Sequence, residues 1–342
     1  MTLLRRQPVS PLLGAAIVFV ILGFPTKSVL AQPLLAPDQP MTVDKVKEGL
    51  YVIRGPFSIC GPQGCRGSSP KALADGLMHE AGDVVVRVTP DGVILVDDKF
   101  PWQVDELLEK VKSITSQPIK YVLNSHYHQD HTGANAAMLE HGFEVIAQRN
   151  LRDEILGKGG TMRNEPAAAP RIVFGDFGAL YLGGVEVQML YLGRAHTSGD
   201  TFVYFPDLKA VHTGDVLMDG APFIDYRAGG SALEWVKTLY NLLKLDFDSV
   251  IPGHGQVFNK QYVREYVQKF ETMNQRMMAM VRKGVPKDRD RLVAGLKLDD
   301  LGWAHTDSTD TFIENSINGY YDEMAAVLAA SPSGTDRNLN AK

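Results

Sequence analysis

The stretch Leu123-Asn-Ser-His126-Tyr-His128-Gln-Asp130-His131-Thr-Gly133 puts four metal-binding side chains into six residues, and three of the chain's nine histidines among them. No other feature limits so strongly what this chain can fold into. Three imidazoles and a carboxylate crowded at a strand end are poorly solvated unless a cation neutralises them. The β-branched run Ile119 to Leu123 precedes the string, so the chain reads as a strand that ends and then turns. On that reading His126 and His128, at i and i+2, point to one side, and the turn presents Asp130 and His131 from a loop. Such a set feeds two adjacent metal positions rather than one. Histidine nitrogen and carboxylate oxygen are the ligands of catalytic zinc sites, which keep a position open for water; Fe or Mn suits the same donors.

Further donors should come from later strand ends. His196 stands in Gly193-Arg194-Ala195-His196-Thr197, after a strand ending at Leu192. Asp215 stands in His212-Thr213-Gly214-Asp215, after a strand ending near Val211. His254 stands in Pro252-Gly253-His254-Gly255, after Val250-Ile251. All three lie close to glycines just past a strand, where a compact backbone lets a side chain reach inward.

The rest of the pattern is mixed α and β. Val84–Val88 and Val93–Val96 flank Thr89-Pro90-Asp91-Gly92 and read as a hairpin. Residues 101–114 carry Val104, Leu107, Leu108 and Val111 at the spacing of a one-faced helix. Residues 179–192 and 202–211 give further strands, the first split by Gly183-Gly184. Ser231 and Glu234 form a capping box that opens a helix through Trp235, Leu239 and Leu242. Tyr262, Tyr266, Phe270, Met273, Met277 and Met280 predict a long amphipathic helix stopped by Gly284 and Pro286, its methionines packing as core. The polar tail 331–342 is expected to be disordered.

The first 31 residues read as a signal peptide: Arg5 and Arg6, an uncharged and mostly apolar run over residues 12–24, then Val29-Leu30-Ala31. That run is too short to span a bilayer as a stable helix. A proline-rich lead-in covers residues 32–42, and one domain follows over 43–330, with C-terminal helices from about residue 259. The expected product is exported, most simply to a bacterial periplasm, with no stable membrane insertion after cleavage. Loss of Arg5, Arg6 and Lys27 with no acid takes the net charge from −5 to −8, and no basic stripe appears, which argues against nucleic acid as partner. Cys60 and Cys65 bracket Gly-Pro-Gln-Gly, and in an oxidising compartment a local disulfide is expected.

The order of these motifs resembles the metallo-β-lactamase superfamily over roughly residues 43–257. The resemblance implies an α/β fold, an αββα sandwich of two mixed β-sheets flanked by helices, with additional C-terminal helices here. It implies two Zn²⁺ per chain: one held by His126, His128 and His196, the other by Asp130, His131 and His254, with Asp215 bridging. Asp97 matches an early aspartate that supports a ligand histidine from behind, while His79, His141, His212 and His305 have no place in the pattern. The implied chemistry is attack by a metal-bound hydroxide on a carbonyl of a small molecule (ester, thioester, lactone or amide), with Asp130 orienting the nucleophile and shuttling its proton. Asp215 stands where many β-lactamases carry cysteine, and Met218 where they carry lysine, so the layout resembles glyoxalase II and the lactonases. Hydrolysis of β-lactam antibiotics is the alternative. Tyr127 and Arg194 either meet an oxyanion or substrate carboxylate or are packed and surface side chains. Residues 57–78 and 219–230 are expected to line the pocket. Three rivals fit less well. A closed structural zinc site leaves no room for water, a di-iron flavoenzyme needs an acid in the string and an added domain, and a nuclease needs positive charge. Substrate and oligomeric state are not specified at this level.

Overall fold

The computed structural model describes residues 40–56, 60–61, 64–65, 80–303 and 307–330. The expected signal peptide, most of the lead-in and of the 57–78 loop, His79, His305 and the tail 331–342 lie outside the described residues.

Strands β1 (Thr42–Lys47) and β2 (Leu50–Pro56) form an antiparallel pair. A small hairpin of β3 (Cys60–Gly61) and β4 (Gly64–Cys65) follows, with Cys60 opposite Cys65 in backbone register. The first large sheet continues through β5 (Glu80–Thr89), β6 (Gly92–Val96), β7 (Ile119–Leu123), β8 (Glu144–Gln148) and β9 (Ile172–Phe174), in the order β1-β2-β5-β6-β7-β8-β9. The second sheet runs in chain order through β10 (Phe177–Leu182), β11 (Val185–Leu190), β12 (Phe202–Phe205), β13 (Ala210–His212), β14 (Ser249–Ile251) and β15 (Phe258–Asn259). Both sheets are mixed. Strands β6 to β9 pair in parallel in the first, and β13 and β14 in the second.

The two-residue period of a strand sorts the apolar side chains into layers. On β5 and β6, Val85, Ile94 and Val96 face the second sheet and meet Val187, Met189, Val203, Phe205 and Ile251. Their neighbours Val84, Val86, Val93 and Leu95 face outward onto Val104, Leu107 and Val111 of α1 (Val104–Ile114). Short helices α2 (Gln129–Thr132), α3 (Asn135–Glu140) and α4 (Arg149–Ile155) flank the same sheet's active end. The outer face of the second sheet is covered by α5 (Ala232–Leu243), α6 (Lys260–Arg282) and α7 (Arg289–Leu296), followed by α8 (Asp307–Thr311) and α9 (Ile317–Ala330). Four layers result, helix–sheet–sheet–helix, the expected αββα sandwich with C-terminal helices. Each fully buried Val, Leu or Ile in these layers contributes about 1.5–3 kcal/mol. The methionine stripe is core: Phe270, Met273 and Met277 are fully buried, and the Phe270 ring packs edge-on to Trp235 at 5.4 Å.

Local expectations shift in three places. Residues 202–211 form a hairpin rather than one strand, because Pro206 cannot donate to the ladder and starts a 3₁₀ turn over Pro206–Leu208. The helix expected from residue 101 begins with a 3₁₀ turn over Pro101–Gln103. The capping box is half formed: Ser231 accepts from the Glu234 amide, but the Glu234 carboxylate pairs with Arg194 instead. Among the described residues, no helix is long and apolar enough to cross a membrane.

Candidate metal centre

Parallel pairing sets the ends of neighbouring strands level, Val96 with Leu123 and His212 with Ile251, so the loops leaving β6, β7, β13 and β14 emerge together. Backbone bonds tie these loops into one floor. Thr201 N–H donates to Ser125 (2.7 Å), Gly253 N–H to Gly214 (2.8 Å) and Asp83 N–H to Gly253 (2.7 Å).

All seven donors named from the sequence meet on this floor. The donor atoms of His126, His128, His196 and Asp215 lie within 4.8 Å of one another, and so do those of Asp130, His131 and His254. Asp215 reaches both groups. Its Oδ2 is 3.7 Å from Nε2 of His126, 3.7 Å from Nε2 of His196 and 3.5 Å from Nε2 of His254, while its Oδ1 is 3.3 Å from Nε2 of His131. Asp130 Oδ2 lies 3.3 Å from His131 Nε2 and 3.2 Å from His254 Nε2. The local route differs from strand alternation. β7 stops at Leu123, and His126 and His128 sit in the bend before α2, which carries Asp130 and His131. Two glycines make room. A Cβ at Gly82 would lie 2.5 Å from the His131 ring, and one at Gly253 would overlap Asp215 Oδ1.

Four of the imidazoles, those of His126, His128, His131 and His196, are oriented by a bond on the far side, which fixes the nitrogen each offers. His196 Nδ1 faces the Phe223 carbonyl at 2.6 Å and leaves Nε2 for the centre. His128 Nε2 lies 3.1 Å from Asp225 Oδ2, so His128 offers Nδ1, 3.0 Å from His196 Nε2. His126 Nδ1 lies 3.1 Å from Ser125 Oγ. His131 Nδ1 lies 2.8 Å from Asp97 Oδ2, the supporting role expected of Asp97. Asp97 ends β6 at φ +64°, a left-handed conformation that an aspartate tolerates better than most residues, and takes both the amide and hydroxyl of Ser125 at 2.7 Å.

The electrostatics of the two groups differ. Burial holds His126 well below the ordinary imidazole range, and burial beside His128 brings His196 down to about 4, so both are neutral donors at pH 7. Burial also opposes charge on His131 and His254. The facing carboxylates outweigh it: Asp130, Asp215 and Asp97 raise His131 well above its usual range, and Asp215 and Asp130 raise His254 to about 10. Burial likewise works against ionised Asp130 and Asp215, yet the imidazoles keep both well below the carboxylate range. Protons thus balance the acids here, and a cation would displace them. His126 Nε2 and Asp215 Oδ1 are buried with no hydrogen-bond partner, the mark of atoms built for a ligand of another kind. The residues fit a metal pair.

Of the two alternatives left open for Arg194 and Tyr127, the contacts favour packed or surface side chains: Arg194 pairs with Glu234 at 2.5 Å, and the Tyr127 hydroxyl donates to Asp225 Oδ2 at 2.5 Å. His212, given no role from the sequence, is fully buried with Nε2 3.4 Å from Asp97 Oδ2. Asp225 was visible only as part of the 219–230 segment. Arg163, which no motif marked, donates through Nη1 to the Tyr127 carbonyl and to Thr132 Oγ1, holding the backbone of the donor loop.

Fold and site together define a metallo-β-lactamase-type chain, and the family model described as the metallo-beta-lactamase superfamily matches residues 82–254. The chain belongs to that superfamily. The type 2 metallo-beta-lactamase of Bacillus sp. (strain 170) is 27% identical over 180 residues, 52% of this chain and 67% of that one. The 2,4-dinitroanisole O-demethylase subunit alpha of Nocardioides sp. (strain JS1661) is also 27% identical, over 182 residues, so the chain spans about half (53%) of that relative's length. Among solved structures, a metallo-beta-lactamase from Pontibacter korlensis superposes with a TM-score of 0.56 at 18% identity, covering 68% of this chain and 99% of its own. That likeness speaks to the fold.

Proposed function

We propose that this chain is an exported hydrolase that holds two Zn²⁺ and opens a carbonyl compound, an ester, thioester, lactone or amide, by addition of water. The observation that carries the reading is Asp215, whose two oxygens reach donors of both groups at 3.3–3.7 Å. His126, His128 and His196 would hold one ion, Asp130, His131 and His254 the other, and Asp215 both. Bound there, the ions supply a water of near-neutral pKa and polarise the carbonyl oxygen. Asp130, less buried than Asp215, orients the attacking water and takes up its proton for delivery to the leaving group. Asp225, Phe223 and Asp97 keep the histidine nitrogens aimed. Export rests on Arg5, Arg6 and the apolar run 12–24, and the backbone pairing of Cys60 with Cys65 supports a disulfide in that compartment.

A β-lactam as main substrate is the second reading, favoured by relatives named as β-lactamases at 26–28% identity. Against it, position 218 carries no cation. Met218 is buried, and its sulfur accepts from the Phe223 amide at 3.4 Å. The test is a hydrolysis panel on mature protein loaded with two equivalents of Zn²⁺: a cephalosporin, a carbapenem, a homoserine lactone, a glutathione thioester, an aryl ester and 2,4-dinitroanisole. A lactone, thioester or ester favoured more than tenfold supports the proposal. A β-lactam at kcat/KM of about 10⁴ M⁻¹s⁻¹ or more, unmatched by the others, replaces it with the second reading.

A further inference from the structure

The family match ends at residue 254, yet side chains beyond residue 300 reach the loop that orients two of the donors. Ser316 is the centre of this contact. Fully buried, it stands at the end of a π-helical turn, Phe312–Ser316, inserted between α8 and α9. Such wide turns are rare overall and are frequent at functional sites. Ser316 Oγ accepts from the Ile224 amide at 2.8 Å and donates to the Ile224 carbonyl at 3.0 Å, so one hydroxyl takes both backbone groups of Ile224. The residues on either side of Ile224 are those that aim the histidines. The Phe223 carbonyl receives His196 Nδ1, the Asp225 amide donates to the His196 carbonyl at 2.9 Å, and the Asp225 carboxylate meets His128.

The same segment grips the loop elsewhere. Thr309 Oγ1 accepts from the Ala221 amide at 3.0 Å, and Ser308 Oγ donates to the Asp219 carbonyl at 2.7 Å. Farther along, Glu323 accepts from Tyr226 Oη at 2.8 Å and from the Ala232 amide at 2.9 Å, closing the end of the loop onto the start of α5. The segment covers the sheet through Phe312, Ile317, Tyr320 and Met324. In addition Ser308, Thr309 and Ser316 satisfy backbone groups of one loop, Ser316 at the residue between its two functional contacts, Phe223 and Asp225.

We infer that the C-terminal segment 307–330 is a positioning strap. Through Ser316 and Thr309 it holds the 219–230 loop, and through that loop it sets the aim of His196 and His128. The inference rests on the metal-centre reading above and deepens it. Ser316 and Thr309 are positioning residues that touch neither metal nor substrate.

The test compares full-length mature wild type with Ser316→Ala and Thr309→Val, using Asp322→Ala as a control that breaks only the exposed Lys287–Asp322 pair on α9. Two readouts are taken: amide hydrogen exchange over residues 219–230, and titration with Co²⁺ followed by its visible absorption, which reports ligand geometry. Both strap variants should exchange at least tenfold faster in this loop, bind the first Co²⁺ at least fivefold more weakly and shift its absorption, while the control matches wild type. Should Ser316→Ala not fold, Thr309→Val carries the same comparison. Unchanged exchange and an unchanged Co²⁺ spectrum in the strap variants, with a wild type that binds Co²⁺, overturn the strap alone. A wild type that takes up no Co²⁺ overturns the metal-centre reading and the strap's role in it together.

Discussion

Nε2 of His128 lies 3.1 Å from Oδ2 of Asp225, and this contact leaves Nδ1 of His128 for the centre, whereas His126 and His196, held at Nδ1 by Ser125 and Phe223, offer Nε2. The same carboxylate receives the Tyr127 hydroxyl at 2.5 Å, so it also anchors the residue between the two leading histidines. Partners behind metal-ligating histidines are typically worth 10–100-fold in metal affinity or activity. Asp225→Ala should therefore weaken Zn²⁺ binding by about that range, measured by competition with a chromophoric chelator, with little change in far-UV dichroism. Wild-type affinity in this variant would mean that the ring is held by its packing against Phe223, whose ring stacks 5.6 Å away.

Asp215→Ala should remove the carboxylate that both donor groups share. Metal analysis after dialysis is expected to fall from two Zn²⁺ per chain toward one, with kcat reduced by at least two orders of magnitude. His126, His128 and His196 still offer three nitrogens for one ion, so the loss should concentrate on the position of Asp130, His131 and His254. A variant that retains one ion and full activity would sink the two-metal mechanism.

The donors were legible because chemistry restricted them: few residue types bind zinc, and a string of four in six residues has few other uses. The sandwich was legible for a similar reason, since the alternation Val84-Val85-Val86 and Val93-Ile94-Leu95-Val96 records two buried faces in the sequence itself. The supports were less so. Asp225, His212 and Arg163 are common residue types in segments without periodicity, and they acquire meaning only from partners 31 to 115 positions away: Thr132, His128 and Asp97. For Arg194, nearness in sequence to His196 left pocket and surface both open, and the guanidinium is paired with the Glu234 carboxylate of α5.

Met218→Lys tests whether the residue usual in β-lactamases at this position confers antibiotic cleavage here. The side chain lies inside the cluster that includes Phe202, Trp235 and Tyr266, and its backbone carbonyl accepts from Tyr262 Oη at 2.7 Å. A lysine there must bury its ammonium or displace the packing, a change expected to cost about 3 kcal/mol or more. Thermal unfolding should fall by several degrees at pH 7, with no more than a twofold gain in cephalosporin kcat/KM. A stable variant with a tenfold gain would show that the position opens to the pocket after all.

Glu154 supplies the pH dependence. It is buried on α4, accepts from the Ser198 hydroxyl through Oε1, and has no partner for Oε2. Burial, reinforced by Asp200 and Asp225, outweighs the Ser198 hydroxyl and pushes its carboxyl up to about 8, from an ordinary value of 4.5. The folded chain therefore keeps the proton over a range in which the unfolded chain has released it. Its contribution to stability is whole below pH 4.5 and is lost progressively as pH rises to about 8, by up to roughly 5 kcal/mol at about 1.4 kcal/mol per unit. Glu154→Gln keeps the shape and a carbonyl for Ser198 but has no proton to lose. Its unfolding free energy in urea should match wild type at pH 5 and exceed it by at least about 2 kcal/mol at pH 8.5. Parallel curves for the two proteins across that interval would show that the carboxyl titrates normally, with water reaching Oε2.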